Sequence, residues 1–346
     1  MSEAKNAKTG RKDFHRRLLT GASALTLLVG GLRTIIAAAD ENSSPLWIEL
    51  GGQWERISGS QDIFAPAFDL TMPRPDFEAI SPLSVERLPP SSIGGEGTVS
   101  FEPSGTDWVF SASVRYGRAQ NDTELLEHSA FPTHYTSVPD RYEFSDGSMK
   151  SKEAHLIVDF QAGKDFGFGM FGKGGSSVAS FGVRFAQFGQ RSDIALSENP
   201  IPGSGGGGAP ADFTAAAHIS RSFHGIGPSL SWTSSAPFAG HPDHGELSLD
   251  WGANASALFG RQRTDVQHQT NYPVQTSVIH MRARSAIVPN LGGFAGISYR
   301  LQNFKVKLGY RGDFFFDAMD GGINTTHKEN LGFYGPFATI GVGLGG

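Results

Sequence analysis

Between Phe304 and Phe316 the side chains sort by parity. Phe304, Val306, Leu308, Tyr310, Phe314 and Phe316 stand at even positions, and Lys305, Lys307, Gly309, Arg311 and Asp313 at odd ones. A β-strand sends successive side chains to opposite faces, so this stretch predicts a strand with one apolar and one polar face. The same two-sided pattern recurs along the chain. Leu46, Ile48, Leu50 and Trp54 alternate with Glu49, Gly51, Gln53 and Glu55, with Trp47 interrupting the polar set. Val99 and Phe101 share a face in a short strand, and Trp108, Phe110, Ala112, Val114 and Tyr116 share one in the next. Leu156, Val158 and Phe160 oppose His155, Asp159 and Gln161, and Phe181, Val183 and Phe185 oppose Gly182 and Arg184. A long odd-parity face then runs from Leu247 to Phe259, another from Ile279 to Leu301 through Pro289, and Ala338, Ile340, Val342 and Leu344 close the series.

One stretch changes parity. Phe213, Ala215, Ala217 and Ile219 are odd, whereas Ile226, Leu230 and Trp232 are even. A bulge near His224-Gly225 would supply the extra residue. The intervening polar, Pro-rich or Gly-rich segments at 58–93, 118–150, 191–210, 261–276 and 318–329 read as long loops. Connections near Ser104, Gly163, Ala239 and Gln302 are shorter. Short turns alternating with long loops are the signature of an outer-membrane barrel, in which lipid-facing and lumen-facing residues alternate. The fold class expected is therefore all-β, a transmembrane antiparallel up-and-down β-barrel. Ten strands fit if 212–233 and 277–301 are each one strand, and twelve if each breaks.

Composition supports strands over helices. Glycine (45 residues) is in excess and costs a helix roughly 1 kcal/mol per residue against Ala, while phenylalanine (26 residues) favours strands. Mean hydropathy is -0.23, low for a helical membrane protein but compatible with a barrel, which needs apolar residues only on alternate positions. The net charge of -5 gives no basic footprint for nucleic acid, and the absence of cysteine excludes disulfides and thiolate metal sites. At the start, Arg11, Lys12, Arg16 and Arg17 precede an apolar run from Leu18 to Leu32, and Ala37-Ala38-Ala39 follow. This order predicts a signal peptide over residues 1–39, through either the general or the twin-arginine route, with the barrel in 40–346.

Several motifs carry candidate chemistry. Gly167-Phe168-Gly169-Met170-Phe171-Gly172 matches G-x-G-x-x-G, but Gly174 stands where a phosphate loop needs Ser or Thr after Lys173. His241-Pro242-Asp243-His244 could approach a metal, yet Pro242 and Gly245 favour a turn. His155, Asp159, Asp250, His280 and Asp313 share the polar face, but no nucleophile motif accompanies them, and the expectation is a non-enzymatic barrel without cofactor or metal. The strongest electrostatic pattern is cationic. Arg282, Arg284, Arg300, Lys305, Lys307 and Arg311 share the polar parity of consecutive strands and would form a positive lumenal wall, joined by Arg115 and Arg184 and partly neutralised by Glu49, Glu55, Asp159, Asp250 and Asp313. Such a wall biases a pore toward anions, unless it is consumed in salt bridges across the lumen.

Phe223-His224-Gly225-Ile226-Gly227-Pro228, Gly252 to Arg261, Ile297-Ser298-Tyr299-Arg300, Gly309-Tyr310-Arg311 and Phe333-Tyr334-Gly335-Pro336-Phe337 resemble the Legionella-type, major-outer-membrane-protein-like family of pore-forming barrels, mainly over 213–346. The resemblance implies a Gram-negative outer-membrane location, porin-like transport of small solutes or ions, no cofactor, and as partners outer-membrane lipid, lipopolysaccharide and the barrel assembly machinery. The chain departs from common barrels in ending Leu344-Gly345-Gly346 rather than on an aromatic residue. The function expected is a passive, weakly selective pore; a structural barrel or one that binds ligands through its external loops is the alternative, and a barrel hydrolase a more distant one.

Overall fold

The computed structural model describes residues 46–59, 89–121, 124–127, 146–167, 175–198, 213–241, 244–270, 276–321 and 327–344. The signal-peptide segment 1–39 and the motif residues 168–173 lie outside these, as do Pro242, Asp243 and most of the first loop. The strands are β1 (Leu46–Gly59), β2 (Ser91–Phe101), β3 (Trp108–Gln120), β4 (Glu124–Glu127), β5 (Asp146–Asp165), β6 (Ser176–Glu198), β7 (Phe213–His241), β8 (Gly245–Thr270), β9 (Thr276–Leu301), β10 (Phe304–Asp320) and β11 (Lys328–Leu344). Each pairs antiparallel with its sequence neighbour, and β1 pairs with β11. Both β3 and the short β4 pair with β5, so they share one stave and close the sheet. The result is a transmembrane antiparallel up-and-down barrel of ten staves.

One row of partnered residues shows how the wall closes. Leu46 pairs with Phe101, Phe101 with Phe110, and the row continues through Ala162, Phe181, Leu230, Ala255, Leu291, Phe314 and Gly332. It returns to β1 at Ser58, twelve residues beyond its start. Strand number and this stagger together tilt the strands by about 40°.

The outward face is an apolar belt. Leu50, Leu230 and Leu308 are 64%, 63% and 59% exposed, and they belong to a surface too large and continuous for a water-soluble monomer. Trp108, Tyr299 and Phe304 stand near the short-turn edge, and Tyr116, Phe259 and Phe316 near the opposite one. A spanning strand needs about 9–11 residues, whereas β7, β8 and β9 have 29, 26 and 26. They continue past the belt on the long-loop side.

That continuation corrects three loop assignments. β6 runs to Glu198, β8 to Thr270, and β5 begins at Asp146, so much of 191–210, 261–276 and 118–150 is strand. Above the belt the outward residues become polar, as at Arg261, Arg263 and Gln267, while inward Gln262 and Thr264 are polar too. Alternation vanishes although the ladder continues. The segments 58–93 and 318–329 likewise lose their ends to β1, β2, β10 and β11. Pro289 does not split β9: its side chain is on the lipid face, opposite Ala257.

The expected bulge at His224-Gly225 is absent. β6 and β7 pair without a break from Ser176↔Ser235 to Glu198↔Phe213. Instead, the inside of the barrel changes character. Ala217, Ile219 and Phe223 are buried inward, whereas Ile226, Leu230 and Trp232 face out. The parity flip in the sequence marks where apolar residues move from the outer face to the lumen.

The belt defines a measurable contrast. Leu230→Arg near its middle should destabilise the barrel by about 2–4 kcal/mol, and Gln267→Arg above it by about 0–1 kcal/mol. Urea unfolding in lipid vesicles, followed by tryptophan fluorescence, measures both.

Candidate functional site: a lumen in three tiers

All eleven candidate lumen residues face inward, but in separate tiers. The tier nearest the long loops is ionic. Arg221 Nη1 donates to Glu329 Oε2 at 2.9 Å, bridging β7 to β11. Arg282 and Arg284 both pair with Asp320, whose Oδ2 also accepts from Thr264 Oγ1 at 3.0 Å. Asp320 reaches this position through a bulge in β10, where the register with β11 shifts between Phe315 and Met319. Asp317 there has φ 57°, and Ala318, Met319 and Asp320 are consecutively buried.

The middle tier is apolar. Phe188, Phe223, Phe315 and Phe333, with Leu258, Val288 and Met319, form one fully buried cluster. Phe188 lies on β6, and β10 and β11 stand on the far side of the ring of strands. Yet the Phe188 ring is 4.6 Å from that of Phe315 and 5.8 Å from that of Phe333, centroid to centroid. Rings from opposite walls therefore meet, and the lumen is closed at its waist. His155 borders this layer, 4.0 Å from Phe333, with Nε2 3.1 Å from Glu55 Oε2 and Nδ1 3.3 Å from Glu153 Oε1. Its ring lies against Gly117, where an added Cβ would come within 2.2 Å of it.

Beneath the waist, on the short-turn side, is a polar layer and then a cavity of about 340 Å³. Arg115 on β3 meets Asp313 on β10 at 2.6 Å. Arg184 grips Asp159 through Nε at 2.7 Å and Nη2 at 3.0 Å, and its Nη1 donates to Asn254 and Asn290. Asn254 also reaches Asp313 at 3.4 Å. Gly292 leaves room for this junction: a Cβ there would stand 2.1 Å from Asp313 Oδ1. Lower down, Lys305 pairs with Asp250 at 2.9 Å, Lys307 with Glu49 at 3.5 Å, and Arg311 with Glu96. The Arg311 guanidinium lies 4.4 Å above the Phe337 ring, and Arg300 5.0 Å above Trp47.

The expected positive wall is thus split by the waist, and within the cavity its charge is matched. Arg115, Arg184, Lys305, Lys307 and Arg311 line the cavity together with Glu49, Glu96, Asp159, Asp250 and Asp313, and each of these cations has a carboxylate partner. Sequence reading placed the cations inward but missed Glu96, Glu153 and the aromatic waist. Phe315 was the available signal, since it puts an aromatic ring at odd, lumenal parity in β10. The carboxylates proposed for acid–base work pair with arginine or lysine, except that His155 faces Glu55 and Glu153; His280 sits apart, above the waist. His241 and His244 close a turn, with His244 N donating to His241 O at 3.0 Å. Among the described residues no group of three metal-ligating side chains is gathered.

No protein-family model matches the chain, and no curated protein does. Solved barrels resemble it in overall form alone. The monoaromatic hydrocarbon channel CymD has 8% identity and a TM-score of 0.29, covering 88% of this chain and 90% of that one. The β domain of the Bordetella autotransporter BrkA has 10% identity and a TM-score of 0.24, covering 88% and 100%. The translocator domain of NalP from Neisseria meningitidis has 9% identity and a TM-score of 0.24, covering 93% and 97%.

Removing one member of a buried ion pair strands the other. Asp313→Asn, which leaves Arg115 unneutralised, should cost about 3–5 kcal/mol, whereas Lys328→Gln at the half-exposed Asp317 pair should cost about 0–1 kcal/mol. The same unfolding measurement distinguishes them.

Proposed function

We propose that this chain is a bacterial outer-membrane barrel of the Legionella-type pore-forming class, acting as a gated pore of low conductance. The single observation behind this is the contact of Phe188 with Phe315 and Phe333 across the lumen, between two polar tiers. An apolar constriction flanked by wet compartments shuts a pathway by excluding water. Here the described closure consists of side chains rather than a folded plug, so rotamer changes of a few rings suffice to open it. The apolar belt supports placement in a bilayer, and the short turns would then face the periplasm. Small solutes or ions would cross. Matched charge in the cavity gives the pathway little preference for either sign, in place of the anion bias a bare cationic wall would impose.

Planar-bilayer recording tests the gate. Wild type should show rare, small steps, and Phe188→Ala or Phe315→Ala frequent steps that are several-fold larger. Phe188→Leu is a milder alternative if truncation impairs folding. Folded variants, verified by heat-dependent gel mobility, that remain as silent as wild type would sink the pore and favour a structural or ligand-binding barrel. In a salt gradient, the reversal potential of Phe188→Ala should lie near zero. Adding Lys305→Gln, which leaves Asp250 in excess, should move it toward cation preference.

A further inference from the structure

On the outer wall, just above the belt, positive charge is gathered on one side. Val114, Val158, Phe185, Ile226 and Phe259 form an apolar row of partnered outward residues across β3, β5, β6, β7 and β8. Within a few residues toward the long loops the same face carries Arg118, Lys150, Lys152, Arg191, Arg261 and Arg263. Lys152 and Arg191 are directly paired across β5 and β6, and Arg118 stands beside Lys152, since its own partner is Ala154. Side chains directly opposite in an antiparallel pair have Cβ atoms about 5 Å apart, and like charges there repel.

The balance is incomplete: Asp193, directly opposite Lys150 across β5 and β6 and in an ion pair with Arg191, offsets part of this charge. Among the described outward residues of this arc, the carboxylates are Asp193, which His218 also engages, and Asp265. Arg191 Nε makes no hydrogen bond and lies 3.7 Å from Asp193 Oδ2. The Lys152 ammonium has its pKa pushed below the ordinary value by burial and by Lys150, Arg118 and Arg191, against the opposing pull of Asp193. On β9, β10 and β11 the outward residues Ser285, Phe316 and Asn330 carry no charge at comparable positions, while β1 presents the exposed Arg56. At the short-turn edge of β5 the outward cation is Lys164 alone.

We infer that Arg118, Lys150, Lys152 and Arg191, flanked by Arg261 and Arg263, form a docking site for the phosphorylated head of lipopolysaccharide in the external leaflet. Position and charge both point there. Acyl chains would lie on the apolar row, and phosphates attached at the top of those chains would meet the cations immediately above. A bound phosphate would also relieve the repulsion between Lys152 and Arg191. The inference rests on the outer-membrane placement proposed above, and is independent of whether the waist opens.

The test uses the full chain in phosphatidylcholine nanodiscs doped with bis-phosphorylated lipid A, with dephosphorylated lipid A as control, read by native mass spectrometry. Wild type should retain the phosphorylated form preferentially. Lys150→Gln/Lys152→Gln/Arg191→Gln should weaken that retention by about a hundredfold, about fivefold for each charge removed. Lys164→Gln, at the opposite edge, should leave it unchanged, and Lys152→Arg should preserve it. Equal retention of both lipid A forms, unchanged retention in the triple variant, or displacement by millimolar inorganic phosphate would each overturn the assignment. Heat-dependent mobility of each variant separates loss of the site from loss of the fold. A chain that stays soluble without detergent would instead remove the membrane placement itself.

Discussion

A polypeptide in a bilayer core has no water to satisfy its N–H and C=O groups, so every one must find a partner in the wall. The remaining features follow from how this chain meets that demand. Ten staves with a stagger of twelve residues close the ladder without leaving an edge. They also fix a narrow bore, comparable to barrels whose interiors side chains can fill. Proline is tolerated at Pro228 and Pro289 because each sits on the outer face of a strand still held along the rest of its length.

The narrow bore governs the interior chemistry. A lysine or arginine pointing into a wide channel would be solvated, whereas here it meets the opposite wall before it meets bulk water. Desolvated charge is stable only when paired and hydrogen-bonded, which accounts for the matched arrangement from Arg115–Asp313 to Lys305–Asp250. At the waist the same space is filled differently. Aromatic rings supply volume without charge, and Phe188, Phe315 and Phe333 meet at tilted and edge-on angles typical of packed aromatics. Ionic and apolar tiers are two solutions to one filling problem, and only the apolar one expels water outright.

Much of the wall was legible in the sequence. The parity of Phe304–Phe316 identified a two-faced strand, and the inward placement of Arg184, Asp250 and Asp313 followed from parity alone. Pairing was not legible, because the partner of Arg115 lies 198 residues away and the barrel's stagger decides which positions face each other. The waist was hidden for another reason. Counting apolar residues at one parity assumes that apolar means lipid-facing, so Ala217 and Ile219 suggested a bulge rather than an apolar interior. Strand ends were misplaced where both faces become polar, since alternation then carries no signal although backbone pairing persists.

The exchange of faces along β7 has a consequence for assembly. Toward the short turns this strand is apolar outside and polar inside, with Leu230 out and Ser229 in; toward the long loops it is apolar inside, with Phe223 in and His224 out. A strand of uniform pattern that slips by one residue makes the same error along its whole length. Here a slip would put serine into lipid at one end and a phenylalanine ring into water at the other, and would withdraw that ring from the waist. The error is thus penalised in two solvents at once. Because β7 pairs along most of its 29 residues with both β6 and β8, it acts as a ruler against which its neighbours are aligned.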